Sequence, residues 1–126
     1  MLIGTGLDLI EVHRIANSIE RYGDRFLYRI YTANEIAYCR RKNRTSAESF
    51  AARFAAKEAG AKALGTGISR GVTWSEFQVE REPGGRPTLR LQGRALELAR
   101  KLGVKAISLS LTHTAELAMA SVVMEG

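Results

Sequence analysis

Two carboxylates are placed where chemistry could use them. Asp8 falls in Gly4-Thr5-Gly6-Leu7-Asp8, within a run over residues 2–10 of β-branched and apolar residues interleaved with glycine, the pattern of a buried strand. Side chains 4, 6, 8 and 10 share one face of such a strand. Asp8 therefore projects beside two glycines, which leave room for a ligand or for another backbone to approach. An aspartate near a strand end can equally cap the following helix. Glu58 continues a stripe in which Phe50, Phe54, Glu58 and Lys62 succeed one another at i, i+4, with Ala47, Ala51, Ala55 and Ala61 alongside. A carboxylate there sits at a buried edge, and an unpaired buried carboxylate is costly enough to need a cation partner. Lys62 is one candidate, because Glu followed by Lys four residues on is the favourable order. A plain surface ion pair explains the same spacing, and spacing does not separate the two.

Three further groups accompany them. His113 lies in Ser110-Leu111-Thr112-His113-Thr114, where a strand ends and hydroxyl, imidazole and backbone donors could meet a phosphate. A lone histidine in that position is more often structural. Gly65-Thr66-Gly67 follows the Glu58–Lys62 helix as a compact loop, a weak phosphate signal because a helix C-cap already explains the first glycine. Arg14, Ser18 and Arg21 share a helix face, with Arg25 and Arg29 just beyond. Most basic stripes are solvated faces, but this one borders Asp8.

The elements that must position these residues follow from periodicity. Val12, Ile15, Ile19 and Tyr22 recur at helical spacing over 11–22, and Gly23-Asp24 interrupts that helix before a shorter apolar turn at Phe26, Leu27 and Ile30. Thr32 and Glu35 have capping-box spacing and open a helix to about Arg41, followed by a basic loop over 42–45. Residues 46–64 are the longest helix, stopped by Gly65. Trp74–Glu82 and Arg86–Leu91 read as the arms of a hairpin turning at Pro83-Gly84-Gly85. A helix over 92–102 stops at Gly103, and strands over 106–111 and 117–124 join at Thr112-His113-Thr114. Strands and helices mix without regular alternation, which predicts an α+β fold: a small single domain over 1–126, with an antiparallel-rich sheet packed against one long and several short helices.

Composition narrows the class. The 126 residues are 45% hydrophobic and 25% charged, the balance of a soluble globular protein. No apolar run approaches the roughly 18 residues needed to cross a bilayer. The first ten residues lack the pattern of a signal peptide. One cysteine, Cys39, allows no intrachain disulfide, and the expected location is the reducing cytoplasm. Nineteen Lys and Arg against 13 Asp and Glu give a net charge of +6, which favours a polyanionic partner without naming it.

Read together, these segments resemble the bacterial holo-acyl-carrier-protein synthase family, the small trimeric branch of the 4′-phosphopantetheinyl transferases. Gly4-x-Gly6-x-Asp8 with Glu11 and Arg14-Ile15 is similar to its first motif. Arg53-Phe54-Ala55-Ala56-Lys57-Glu58-Ala59, continuing through Lys62-Ala63-Leu64-Gly65-Thr66-Gly67, is similar to its second and is specific by itself. Gly85-x-Pro87 and Ser110–Thr114 are similar to shorter, later ones. The resemblance implies the 4′-phosphopantetheinyl transferase fold and a Mg²⁺-dependent transfer of phosphopantetheine from coenzyme A to a serine of an acyl carrier protein. It implies Asp8 and Glu58 as metal ligands and Lys62 as a contact to coenzyme A phosphates. Arg53, Gly65, Thr66, Gly67, Ile68, Pro87, His113 and Thr114 would surround the nucleotide and pyrophosphate. Arg14, Arg21 and Arg25 would meet the acidic helix of the carrier. It also implies a homotrimer with active sites between subunits. Larger members carry a third acidic residue two places after the first aspartate; here that position is Ile10, so phosphate and water must complete the metal shell. Either Glu58 or a metal-bound water could serve as base. The rival expectation is a basic nucleic-acid-binding domain using Arg14, Arg21 and residues 40–44. It leaves Asp8 and the Glu58 stripe without purpose and lacks any familiar recognition motif. The favoured reading therefore has neither nucleic acid nor membrane as partner.

Overall fold

The computed structural model describes residues Met1–Gly126. Strand β1 (Leu2–Glu11) runs directly into helix α1 (Val12–Tyr22), whose apolar face buries Val12 and Ile15. Gly23 ends it at φ +55°, and a second short helix, α2 (Asp24–Ile30), buries Leu27 and Ile30. The expected apolar turn is thus a seven-residue helix. Helix α3 (Ala33–Arg40) opens with the expected capping box: Glu35 N donates to Thr32 Oγ1 at 3.3 Å, and Thr32 N donates to Glu35 Oε1 at 2.8 Å. A single 3₁₀ turn (Asn43–Thr45) leads into α4 (Ser46–Leu64), which ends at Gly65 in the left-handed conformation. Alanine dominates α4, so main chains of neighbouring elements can approach it closely on several sides.

Strand pairing builds two antiparallel sheets. The expected first hairpin arm is shorter than its apolar pattern implies. Trp74–Glu76 is a 3₁₀ turn, held by Thr73 N donating to Glu76 Oε1 at 2.9 Å, so β2 begins only at Phe77 (Phe77–Arg81). It pairs with β3 (Pro87–Leu91). Helix α5 (Gly93–Leu102) follows, then β4 (Ala106–His113) and β5 (Leu117–Glu125). β4 continues through His113, past its expected end. The second sheet has the order β1-β5-β4, with Asp8 opposite Ala120 and Gly6 opposite Val122. The architecture is the α+β arrangement expected, with α4 lying across the inner face of the three-stranded sheet.

That inner face carries Gly4, Gly6, Asp8, Ala118, Ala120, Val122 and Met124. The outer face is bare in the single chain: Leu7 and Leu9 are 59% and 55% exposed, and Leu117 and Met119 of β5 are also exposed beside them.

Candidate active site

The two glycines before Asp8 admit a backbone, not a ligand. A methyl group at Gly4 would strike the Ala63 carbonyl oxygen, and one at Gly6 the Ala59 carbonyl oxygen, so β1 lies directly on the main chain of α4. This contact carries Asp8 to the side of the helix where Glu58 emerges. Both carboxylates line one cleft of about 350 Å³, together with Arg14, Ser18, Phe26 and Phe54.

Lys62 joins the site in an unexpected way. Its Nζ donates to Asp8 Oδ1 at 3.1 Å and to the Leu7 carbonyl at 3.0 Å. The expected Glu58–Lys62 pair, in either its buried or its surface form, is absent. Glu58 instead accepts at Oε2 from the Trp74 indole N–H at 2.8 Å. Glu58 is only partly buried, and one donor together with the open cleft satisfies it without a cation. Asp8 is the more enclosed of the Asp8–Lys62 pair, with its side chain 14% exposed against 52% for Lys62.

Gly65, Thr66 and Gly67 stand next to this site, but their amides turn inward. Gly65 N donates to the Ala61 and Lys62 carbonyls, and Thr66 N and Gly67 N both donate to Ala61 O, at 3.3 and 3.1 Å. The loop wraps the end of α4, with Ile68 half-buried behind it against the apolar core.

Arg53 and His113 belong to a second cleft, of about 190 Å³, which shares no lining residue with the first. Tyr38 is at its centre, with Arg53, Lys42, Arg81 and Arg41 at 4.1, 4.8, 5.6 and 5.8 Å from its ring centroid. Burial opposes ionisation of the phenol. The Lys42 hydrogen bond and the charges of Arg81, Arg53 and Lys42 outweigh it and hold Tyr38 below the ordinary tyrosine value. Arg53 is only 3% exposed, its Nε has no hydrogen-bond partner, and it forms no salt bridge. The cluster therefore holds several cations round one ring with one buried donor unused. At its rim, His113 Nδ1 lies 2.8 Å from Glu48 Oε1. Thr114 Oγ1 accepts from Glu116 N and Leu117 N at 3.2 and 3.1 Å, so it caps the turn between β4 and β5. Pro87 pairs with Arg81 across the β2–β3 hairpin and does not line this second cleft.

The arginines of the basic stripe divide. Arg14 lines the carboxylate cleft, whereas Arg21 lies over the Tyr22 ring at 5.5 Å and Arg25 lines a shallow groove with Tyr22, Phe26 and Arg29. Sequence reasoning passed over two contributors. Trp74 holds Glu58. Lys57, inside the second motif, has its side chain 0% exposed and pairs with Glu35, also 0% exposed, at 2.8 Å. The available signals were that Trp74 is the single tryptophan and that Lys57 is ringed by Ala55, Ala56, Ala59, Gly60 and Ala61.

Comparison with known proteins identifies the family. A family model described as the 4′-phosphopantetheinyl transferase superfamily matches residues 4–121. A holo-[acyl-carrier-protein] synthase of Koribacter versatilis is 57% identical over 125 residues, covering 99% of each chain. The crystal structure of the holo-[acyl-carrier-protein] synthase of Neisseria meningitidis superposes with a TM-score of 0.89 at 32% identity, covering 100% of both chains. That of Helicobacter pylori, in complex with coenzyme A, gives 0.84 at 30% identity, covering 96% of this chain and 99% of that one. With two carboxylates gathered in one cleft and a family match along nearly its whole length, the chain belongs to the holo-[acyl-carrier-protein] synthase family of the 4′-phosphopantetheinyl transferase superfamily.

Proposed function

We propose that residues 1–126 form one transferase domain that moves 4′-phosphopantetheine from coenzyme A to a serine of an apo acyl carrier protein, releasing adenosine 3′,5′-bisphosphate. The observation that carries this reading is the convergence of Asp8 and Glu58, from a strand and a helix far apart in sequence, on one cleft, with Lys62 bonded to Asp8. The serine oxygen forms a bond to the phosphorus bearing the pantetheine arm, and the bond from that phosphorus to the departing nucleotide breaks. The serine proton needs an acceptor, and Glu58 is one of the two candidate bases. Catalysis of this kind rests on positioning and charge neutralisation.

Asp8 and Glu58 fit Mg²⁺. Each has one oxygen engaged by the protein, at Lys62 and Trp74, and one oxygen outside those bonds. Two hard carboxylates with the remaining positions left to water and phosphate are the donor set this ion takes. When bound, Mg²⁺ would supply positive charge against the pyrophosphate. Lys62, half exposed and bonded to Asp8, can offset negative charge on the leaving group. Arg53, Lys42, Arg81 and His113 suit the nucleotide phosphates, and the resemblance adds Gly65 to Ile68, Pro87 and Thr114 to the coenzyme A contacts. Arg14, Arg21 and Arg25 suit an acidic carrier helix delivering its serine to Asp8.

The two clefts are separate on one chain, so a coenzyme A that uses both would bridge neighbouring subunits. The exposed apolar face of β1 and β5 is the surface for that assembly, and a homotrimer is the expected form, about three times the 13.9 kDa chain. Light scattering that returned a fully active monomer would remove this part of the proposal. A lone, fully buried cysteine suits a reducing cytoplasm. No helix is long and apolar enough to cross a membrane. The deciding experiment incubates an apo carrier protein with coenzyme A, Mg²⁺ and the protein, and weighs the carrier by mass spectrometry. A gain of the phosphopantetheine mass that disappears with EDTA is expected, and an unchanged carrier mass would refute the assignment.

A further inference from the structure

We infer that Trp74 is a positioning residue for Glu58: its indole N–H withholds that carboxylate from Lys62 and orients it toward a cation. The inference rests on the reading of Glu58 as a metal carboxylate. On an isolated helix, Glu58 and Lys62 would pair, because they stand in the favourable i, i+4 order. In the folded chain the indole takes Glu58 Oε2 at 2.8 Å, and Lys62 lies on Asp8 and the Leu7 carbonyl instead. The difference is one of charge. Lys62 spends its charge on Asp8, whereas the indole N–H on Glu58 is a neutral donor that orients one oxygen and adds no charge of its own.

The indole is itself fixed from several directions. It stacks on Phe54, one helical turn before Glu58, with ring centroids 6.4 Å apart and planes 28° from parallel. The Arg29 guanidinium lies 5.7 Å from the Trp74 centroid. The backbone of its 3₁₀ turn is held at both ends by groups that do not touch Glu58. The buried Lys57 Nζ donates to the Trp74 carbonyl at 3.3 Å and to the Phe77 carbonyl at 2.7 Å. Glu76 accepts from Thr73 N at 2.9 Å and Arg94 N at 2.6 Å. The donor is therefore built into a rigid turn before any ligand arrives, as partners that orient metal-binding carboxylates generally are.

The test titrates Mn²⁺ calorimetrically into the free wild-type protein and into Trp74→Phe, Glu58→Gln and the double variant. Phenylalanine keeps an aromatic face toward Phe54 and loses the N–H with part of the ring, a packing loss that the Glu58→Gln background controls for. Far-ultraviolet circular dichroism and the melting temperature establish that each variant is folded. Removing an orienting partner of a metal ligand typically costs about tenfold in affinity or more, so Trp74→Phe should weaken Mn²⁺ by about that factor. In the Glu58→Gln background the same substitution should change nothing further. In turnover, Trp74→Phe should lower kcat and leave the KM for the carrier within about twofold of wild type. Affinity for Mn²⁺ unchanged in Trp74→Phe would overturn the inference while leaving the Glu58 reading intact, provided Glu58→Gln binds more weakly. An equal loss in both backgrounds would show a merely structural tryptophan and also overturn it. Wild-type affinity in Glu58→Gln would overturn the Glu58 reading, and the inference with it.

Discussion

Replacing Lys57 by methionine should destabilise the fold more than any other change of similar size in α4. Its ammonium uses all three protons, on Glu35 Oε1 at 2.8 Å, Phe77 O at 2.7 Å and Trp74 O at 3.3 Å. Glu35 is equally engaged, accepting from Thr32 N at 2.8 Å and Val79 N at 2.7 Å as well as from Lys57. The pair therefore ties the start of α3, the middle of α4, the 3₁₀ turn and β2 into one knot. Burial pulls the Lys57 pKa below its ordinary value, and Glu35 is the largest opposing pull, so the ammonium is held at a cost that this partner chiefly offsets. Methionine retains the apolar stem and most of the volume, so the loss is electrostatic. Removing one member of a buried pair costs about 3–5 kcal/mol because the other charge is left uncompensated. A chain of this length has a total stability of only about 6–19 kcal/mol, from about 0.05–0.15 kcal/mol per residue. Urea unfolding followed by circular dichroism should show a large drop in midpoint with an unchanged slope. The double variant Lys57→Met with Glu35→Gln should recover at least about 1 kcal/mol, since no charge is then stranded. A single variant that loses less than about 1 kcal/mol, or a double variant no more stable than the single, would refute this account of the pair.

Asp8→Asn and Glu58→Gln should each abolish turnover while leaving the melting temperature close to wild type; near-normal activity at limiting Mg²⁺ in either would remove it from the metal assignment. Reversing charge with Arg14→Glu and Arg21→Glu should raise the KM for carrier about tenfold or more at low salt, since exposed pairs contribute up to about 1 kcal/mol each and reversal adds repulsion. The KM for coenzyme A should barely change, and the opposite pattern would assign this face to the nucleotide. Burial pushes the Cys39 thiol from 9.0 up to about 11, so a thiol reagent at pH 8 should label the native protein only as fast as it opens, and the denatured protein at once. The same shift means stability from this group is complete below pH 9 and is lost as pH rises toward about 11, because the unfolded chain releases the proton first. Rapid labelling of folded protein would contradict that burial.

What was legible in the sequence was local or motif-borne. The Thr32–Glu35 box, the apolar repeat of α1 and the glycine stop after Leu64 each depend on neighbours within a turn, and each formed as expected. Trp74–Glu76 misled because aromatic and apolar content suits a strand, while a side chain three residues on satisfied the turn instead. The partner of Glu58 was illegible for a different reason. Helical spacing made Lys62 available to it, but the competing donor comes from Trp74 and the competing acceptor, Asp8, lies on β1. Lys57–Glu35 likewise joins residues on two helices, and no periodicity reveals a cation whose partner is elsewhere in the chain. The resemblance named its site residues as one set; in the folded chain Asp8, Glu58 and Arg14 line one cleft, Arg53 and His113 another, and the others line neither.

The contact of Gly4 and Gly6 with the carbonyls of Ala63 and Ala59 has a mechanical consequence. Where a strand and helix meet through interleaved side chains, a change of rotamer or a lost methyl lets them slide. Here the joint is main chain on main chain, with no torsion free to relax, and Asp8 and Glu58 lie within two residues of it on opposite partners. Random drift in either apolar cluster can therefore loosen the protein without altering the gap between its two carboxylates. The gap is exposed instead to a wedge at either glycine. A single methyl group at position 6 would act as a shim between the two halves of the candidate metal site, changing its bite before it changed anything else.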